Sequence, residues 1–191
     1  MKESGGRSSV AARRRPTLFG GGTLRNRLTL AARSPKAQAM SIDNRLAELG
    51  ITLPEPAAPV AAYVPTVEAN GLLHVSGQIP FKDGQIMTGR CGETENEDYA
   101  REAAERCGVM LLAQIKKALG SLDRVERVVK LGVFVSSTPH FTAQPKVANG
   151  ASELMQKVFG DAGKHARSAV GVPVLPLNAI VEVDAVVAIK A

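Results

Sequence analysis

Three charged side chains in an apolar setting are the residues best placed to do chemistry: Arg167, Glu182 and Asp184. They lie in HARSAVGVPVLPLNAIVEVDAVVA, His165 to Ala188. A charge buried in such a segment is costly unless it is paired or meets a ligand. Two chemistries fit Arg167. One is an ion pair to Glu182 or Asp184 across neighbouring strands. The other is a carboxylate anchor, because a planar guanidinium grips a carboxylate through two parallel hydrogen bonds. Ser168, Ala169 and Gly171 are small enough to leave room for an anion. Residue types alone favour the ion pair. Glu182 either faces solvent or lines a cleft, where desolvation would raise its pKa and let it hold or shuttle a proton. Asp184 is read as a solvated residue.

The elements that must position these groups are legible from period and punctuation. Ala166 to Val172 is small or β-branched, and Ile180 to Ile189 alternates with period two, so both read as strands with a break at Pro173 and Pro176. Val125 to Ser136 reads as a central strand. Ala61 to Glu68, interrupted by Pro65, reads as an edge strand, and Asn70-Gly71 turns it into a strand over Leu72 to Ser76. Lys82 to Gln85 marks a second turn with a short strand after it. Thr94 to Leu119 carries apolar residues at three- and four-residue spacing behind a Thr94/Glu97 capping box, and Gly120 ends it. Pro145 to Phe159 is a second helix, and Ser41 caps a short one running to Leu49. The order of elements is α+β rather than alternating βαβ.

Composition bounds the rest. The 191 residues are 45% apolar and 4% aromatic, with no Trp, which argues against a stacking platform for nucleic acid. Residues 1–39 hold nine Lys or Arg against one acid, whereas the other 152 hold fifteen bases and seventeen acids, so the net charge of +6 belongs to the tail. That tail is expected to be disordered. It reads as an organellar leader, a nucleic-acid or membrane arm, or sequence upstream of a true start at Met40, the reading preferred. Residues 40–60 would be a helix and extended lead-in, and 61–191 the domain. No stretch is long and apolar enough to cross a bilayer. Cys91 and Cys107 form no metal or disulfide pattern and are expected to be reduced thiols in a cytoplasmic setting. The spacing of His74, His140 and His165 gives no metal motif.

Ser76-Gly77-Gln78 follows a strand and precedes a proline. It is either turn chemistry, with Gly77 at an unusual φ, or backbone lying against a ligand. Tyr63 is either a wall of that ligand's cleft or a half-buried strand aromatic.

Three segments together resemble one family: LLHVSGQIP at 72–80, the run from Thr94 to Ser137, and ARSAVGVPVLPLNAIVEVDAVV at 166–187. The chain from about Tyr63 to Ile189 is similar to the RidA/YjgF family, also called the endoribonuclease L-PSP or chorismate-mutase-like superfamily, and to a subgroup with an N-terminal extension. The resemblance implies a six-stranded mixed sheet with two helices on one face and a homotrimer with clefts between subunits. It implies a cofactor-free, metal-free deaminase that hydrolyses 2-imino acids to 2-keto acids and ammonia. Arg167 would hold the substrate carboxylate and Glu182 would position the attacking water. Tyr63, Ser76, Gly77 and Ala169 would shape the cleft. Ala169 stands where many deaminase members have Cys, and Val64-Pro65 where they have Ser-Gln. A carboxylate-binding or regulatory member without turnover is the alternative, and a ribonuclease ranks below both.

Overall fold

A computed structural model describes residues 40–56 and 62–190; the expectations for the basic tail and for residues 57–61 lie outside the described residues. Within the described part, the element order is α1 (Ile42–Glu48), β1 (Thr66–Ala69), β2 (Leu72–Gln78), β3 (Phe81–Lys82), β4 (Gln85–Ile86), α2 (Glu97–Leu119), β5 (Val125–Ser136), α3 (Gln144–Phe159), β6 (Ala166–Val172) and β7 (Val181–Ile189). The architecture is α+β. Five strands form one sheet in the order β1-β2-β7-β5-β6, with β5 and β6 parallel and the other pairs antiparallel. The expected sixth strand does not join it. β3 and β4 are two residues each and pair only with one another, around a turn with Asp83 and Gly84 both at positive φ.

The last two strands are not neighbours either. β5 lies between β6 and β7 and pairs with both. Its apolar run makes an interior place favourable: Leu131, Val133 and Val135 are fully buried. β6 is left as an edge strand. The ion pair across adjacent strands is thereby removed as a possibility.

α2 and α3 cover one face of the sheet. Along α2, Ala100, Ala103, Ala104, Cys107, Leu111 and Ile115 are all fully buried, as the helical spacing requires. Its N-cap is Asn96, whose side chain accepts from Tyr99 N–H, rather than Thr94. Thr94 Oγ1 instead accepts from Arg90 N–H at 2.9 Å and closes the preceding turn, so the helix starts two residues later than a Thr94 cap would place it. Gly120 ends it in the left-handed region. α1 begins at its expected cap, Ser41, and packs on α3. α2 and α3 approach so closely at Gly150 that a Cβ there would overlap the carbonyl oxygen of Arg101.

β7 shows what the pleat does. Val181, Val183, Ala185, Val187 and Ile189 are buried under the helices, while Glu182, Asp184 and Val186 point to the other face. Among the described residues, no helix covers that second face. It is a shallow concavity of about 660 Å³ lined by Val67, His74, Lys130, Phe134, Val170 and Asp184 among others.

Gly150→Ala tests the helix contact. Its Cβ would meet main chain, which cannot rotate away, so stability should fall by about 3 kcal/mol, at the upper end of ordinary overpacking. The urea midpoint reads this. An unchanged midpoint would mean that the two helices can slide apart freely.

Candidate functional site

The chemistry-bearing residues form two clusters, and the sheet stands between them. The first surrounds Glu182. β2 and β7 are in register from Leu72 to Val75, and the register then shifts before Gln78, so Ser76 and Gly77 form a bulge opposite Asp184, within reach of the Glu182 side chain. Gly77 is required by proximity, since a Cβ there would overlap Glu182 Oε1. Its φ is not positive, so the reading of Gly77 as a residue of unusual φ does not hold. Gln78 braces the bulge from behind, donating to the carbonyls of Ser76 at 3.0 Å and Gly77 at 3.1 Å. In front, Ser76 N–H donates to Pro65 O and its hydroxyl to Val64 O, both at 2.9 Å. These bonds tie the segment carrying Tyr63 to the bulge. The Tyr63 ring is half exposed.

Glu182 is half-buried, and its carboxyl is held above the ordinary range first by desolvation and then by repulsion from Asp184. Asp184 is not simply solvated. Its Oδ1 accepts from Gly132 N–H at 3.0 Å, and a Cβ on Gly132 would sit 2.5 Å from the same oxygen. Each carboxylate thus lies over a glycine.

The second cluster surrounds Arg167. In the parallel register of β6 with β5, Arg167 pairs with Leu131 and Ala169 with Val133, so both side chains face the helices, on the opposite side of the sheet from Glu182. Arg167 Nη1 donates to Asn149 Oδ1 and to Ser152 Oγ, each at 2.9 Å, and Nη2 donates to Pro145 O at 3.1 Å. All three acceptors are neutral and all come from α3. Among the described residues, no carboxylate lies within ion-pair distance of Arg167. A guanidinium has five N–H donors, so one on Nε and one on Nη2 stay uncommitted.

His165 supports this arrangement. Its Nδ1 donates to Gly163 O at 2.7 Å, a carbonyl being able only to accept. Burial lowers its pKa, more than offsetting the Gly163 bond that raises it, and the Arg167 charge lowers it further, so the ring is neutral near pH 7. Nε2 is then an acceptor for the Ser152 hydroxyl at 3.0 Å, which leaves the Ser152 oxygen lone pairs for Arg167.

Gly77, Ser76 and Glu182 meet, with Tyr63 tethered alongside. Arg167 and Ala169 are brought together elsewhere. One copy of the chain does not join the two groups, because β5 and the thickness of the sheet intervene. Asn149, Ser152 and His165 were not foreseen as partners of Arg167. Their signal was present: Asn149-Gly150 and Ser152 are weak helix formers inside a helix, the kind of exception that a polar role explains. Cys107 is fully buried and donates to Val181 O at 3.6 Å, and burial pushes its thiol well up. Cys91 is likewise buried and pushed to about 11 by desolvation, so neither thiol is a ready nucleophile.

The model of the YjgF/chorismate-mutase-like endoribonuclease family matches residues 43–188. Protein TCP17 of Trypanosoma cruzi is 53% identical over 144 residues, covering 74% of this chain and 90% of that protein. A 2-iminobutanoate/2-iminopropanoate deaminase of Dermatophagoides farinae is 26% identical over 142 residues, covering 73% and 95%. Among solved structures, Atu1372 of Agrobacterium tumefaciens, a protein of unknown function, is 49% identical with a TM-score of 0.73, covering 78% of this chain and 92% of its own.

The raised pKa of Glu182 has a sign that can be checked. A carboxyl easier to ionise unfolded than folded binds more protons in the native state, so its cost appears as pH rises above 4.5 and is complete above its folded pKa. Glu182→Gln should therefore raise Tm more at pH 7 than at pH 4. An equal gain at both would show that the carboxylate is not held at a disadvantage.

Proposed function

We propose that this chain, which belongs to the YjgF/chorismate-mutase-like endoribonuclease family, is a hydrolase of 2-imino acids, releasing a 2-keto acid and ammonia. The observation that carries this reading is the state of Arg167: a half-buried guanidinium, oriented by three neutral acceptors, with two N–H donors unspent and no carboxylate beside it among the described residues. A substrate carboxylate is the group that such a fork is shaped to accept. The deaminase named among the relatives acts on substrates of this class.

The second requirement is an acceptor for the proton of the attacking water. Glu182 has the chemistry: desolvation and the Asp184 charge raise its pKa, which makes it a better proton acceptor than an ordinary carboxylate. Water adds to C2 of the imine as Glu182 accepts its proton. Glu182 passes that proton to the imine nitrogen to complete the tetrahedral carbinolamine, whose hydroxyl proton then moves to the nitrogen as the C–N bond breaks, leaving the ketone and ammonia. An imine is already electrophilic, so orientation of carboxylate and water supplies most of what is needed. Because Arg167 and Glu182 lie on opposite faces of one sheet, the working site is formed between copies: the Arg167 cluster of one and the Ser76-Gly77-Glu182 cluster of another, in a cyclic assembly that we take to be a trimer. The helix-free sheet face is the surface such packing would cover.

An L-amino-acid oxidase generating 2-imino acids from several amino acids, with semicarbazide trapping the survivors, provides the assay. The parent protein should deplete the adduct, and Arg167→Ala and Glu182→Gln should each lose at least tenfold in rate. Mixing the two variants and reassembling them should restore on the order of a quarter of the parent rate, the statistical share of sites that draw an intact residue from each copy. Absence of recovery would place both groups in one chain's site or reject the pairing. A rise in Tm with 2-keto acids but no ammonia from any imine would instead identify a carboxylate-binding protein without turnover.

A further inference from the structure

A second polar groove adjoins the Arg167 cluster. It has a volume of about 290 Å³, the size of a small-ligand pocket. It opens where β5 and β6 end together, a place where parallel strands commonly receive ligands. Arg90, Ser137, Thr138 and Gln144 supply its polar wall, Phe141 its apolar one, and no Asp or Glu lines it.

The hydrogen-bond state of these residues is unusual. Ser137 is 5% exposed, yet its hydroxyl has no hydrogen-bond partner among the described residues, and it is among the residues lining the groove. The Thr138 hydroxyl is also without one. Arg90 spends Nη1 on Glu93 at 3.1 Å, but its Nε is buried and unpaired. Gln144 Nε2 spends one proton on Phe141 O at 2.6 Å and keeps the other. Gly171 keeps the pocket open, since a Cβ there would come within 2.6 Å of Ser137 Oγ and 2.8 Å of Gln144 Nε2. Arg90 Nε is a buried unpaired donor and therefore costly, and although Glu93 holds Nη1 of the same guanidinium, Nε with the Ser137 and Thr138 hydroxyls leaves donors for an oxyanion.

Gly171, which lines the groove, shares a strand face with Arg167. Arg167, Ala169 and Gly171 lie on one face of β6, about 13 Å from first to last at the usual strand rise. Arg167 shortens that span by reaching to Pro145 O, and Gln144 is the next residue. We infer that the groove at Arg90, Ser137 and Thr138 binds a second carboxylate, so that the preferred ligand is a 2-imino or 2-keto acid with an acidic side chain, held at one end by Arg167 and at the other by Arg90. This rests on the reading of Arg167 as a carboxylate anchor.

Calorimetric titration of the full chain with 2-oxoglutarate, 2-oxoadipate and the monoacid 2-oxohexanoate tests it. One of the two diacids should bind at least tenfold tighter than the monoacid. Arg90→Gln and, separately, Ser137→Ala should bring that ratio towards one; a ratio taken on a single preparation is insensitive to a partly unfolded fraction. Arg167→Gln should weaken all three ligands. Equal binding of diacids and monoacid by the parent, with Arg167→Gln still weakening both, would overturn the groove and leave the Arg167 anchor standing. Titrations that Arg167→Gln does not change, or no binding at all, would overturn the two together.

Discussion

The pleat of β7 is the constraint on which the rest depends. Successive side chains of a strand must go to opposite faces, so a strand reading Val-Glu-Val-Asp-Ala-Val-Val-Ala-Ile can bury its Val, Ala and Ile positions only by sending its acids the other way. Burying each of the larger apolar side chains is worth about 1.5 to 3 kcal/mol. A slip by one residue would give up most of that and push two carboxylates under the helices as well. The placement of Glu182 is therefore fixed by the core. Arg167 is fixed by the same rule in β6, with the opposite result, because its phase matches Leu131 and Val133 on the helix side.

The helix layer supplies what Arg167 lacks in its own strand. α3 sits close enough to α2 for Gly150 to pack on main chain, and the residues around that contact, Asn149 and Ser152, are the acceptors for the guanidinium. One short segment thus serves both packing and polar recognition. Its helix propensity is poor in isolation, and tertiary contact compensates for it.

Much of the fold was legible in the sequence because it rests on local signals. Val125–Ser136 and Ala166–Val172 are strands to the residue, and Ser41 caps α1 as its type and position require. Strand neighbours were not legible. Period two says which residues share a face of one strand, but nothing about which strand lies alongside, so β6 and β7 looked adjacent when β5 separates them. The Thr94 cap misled for a related reason: two good capping residues stand two apart, and a turn through Arg90 claims the first. The chemical types at the site were readable from charge in apolar surroundings. Their partners were not, because Asn149, Ser152 and His165 come to Arg167 through packing rather than spacing.

The surroundings of Glu182 are made largely of main chain: the bulge at Ser76-Gly77 on one side and the strand pairing of Phe134 on the other. Peptide groups cannot be exchanged one at a time as side chains can. Sequence drift can therefore alter the groove at Arg90, Ser137 and Gln144 residue by residue, whereas the carboxylate's own setting changes only if the strand itself is rebuilt. A lineage using this fold could diversify what is held at the far end while inheriting the environment of the acid intact.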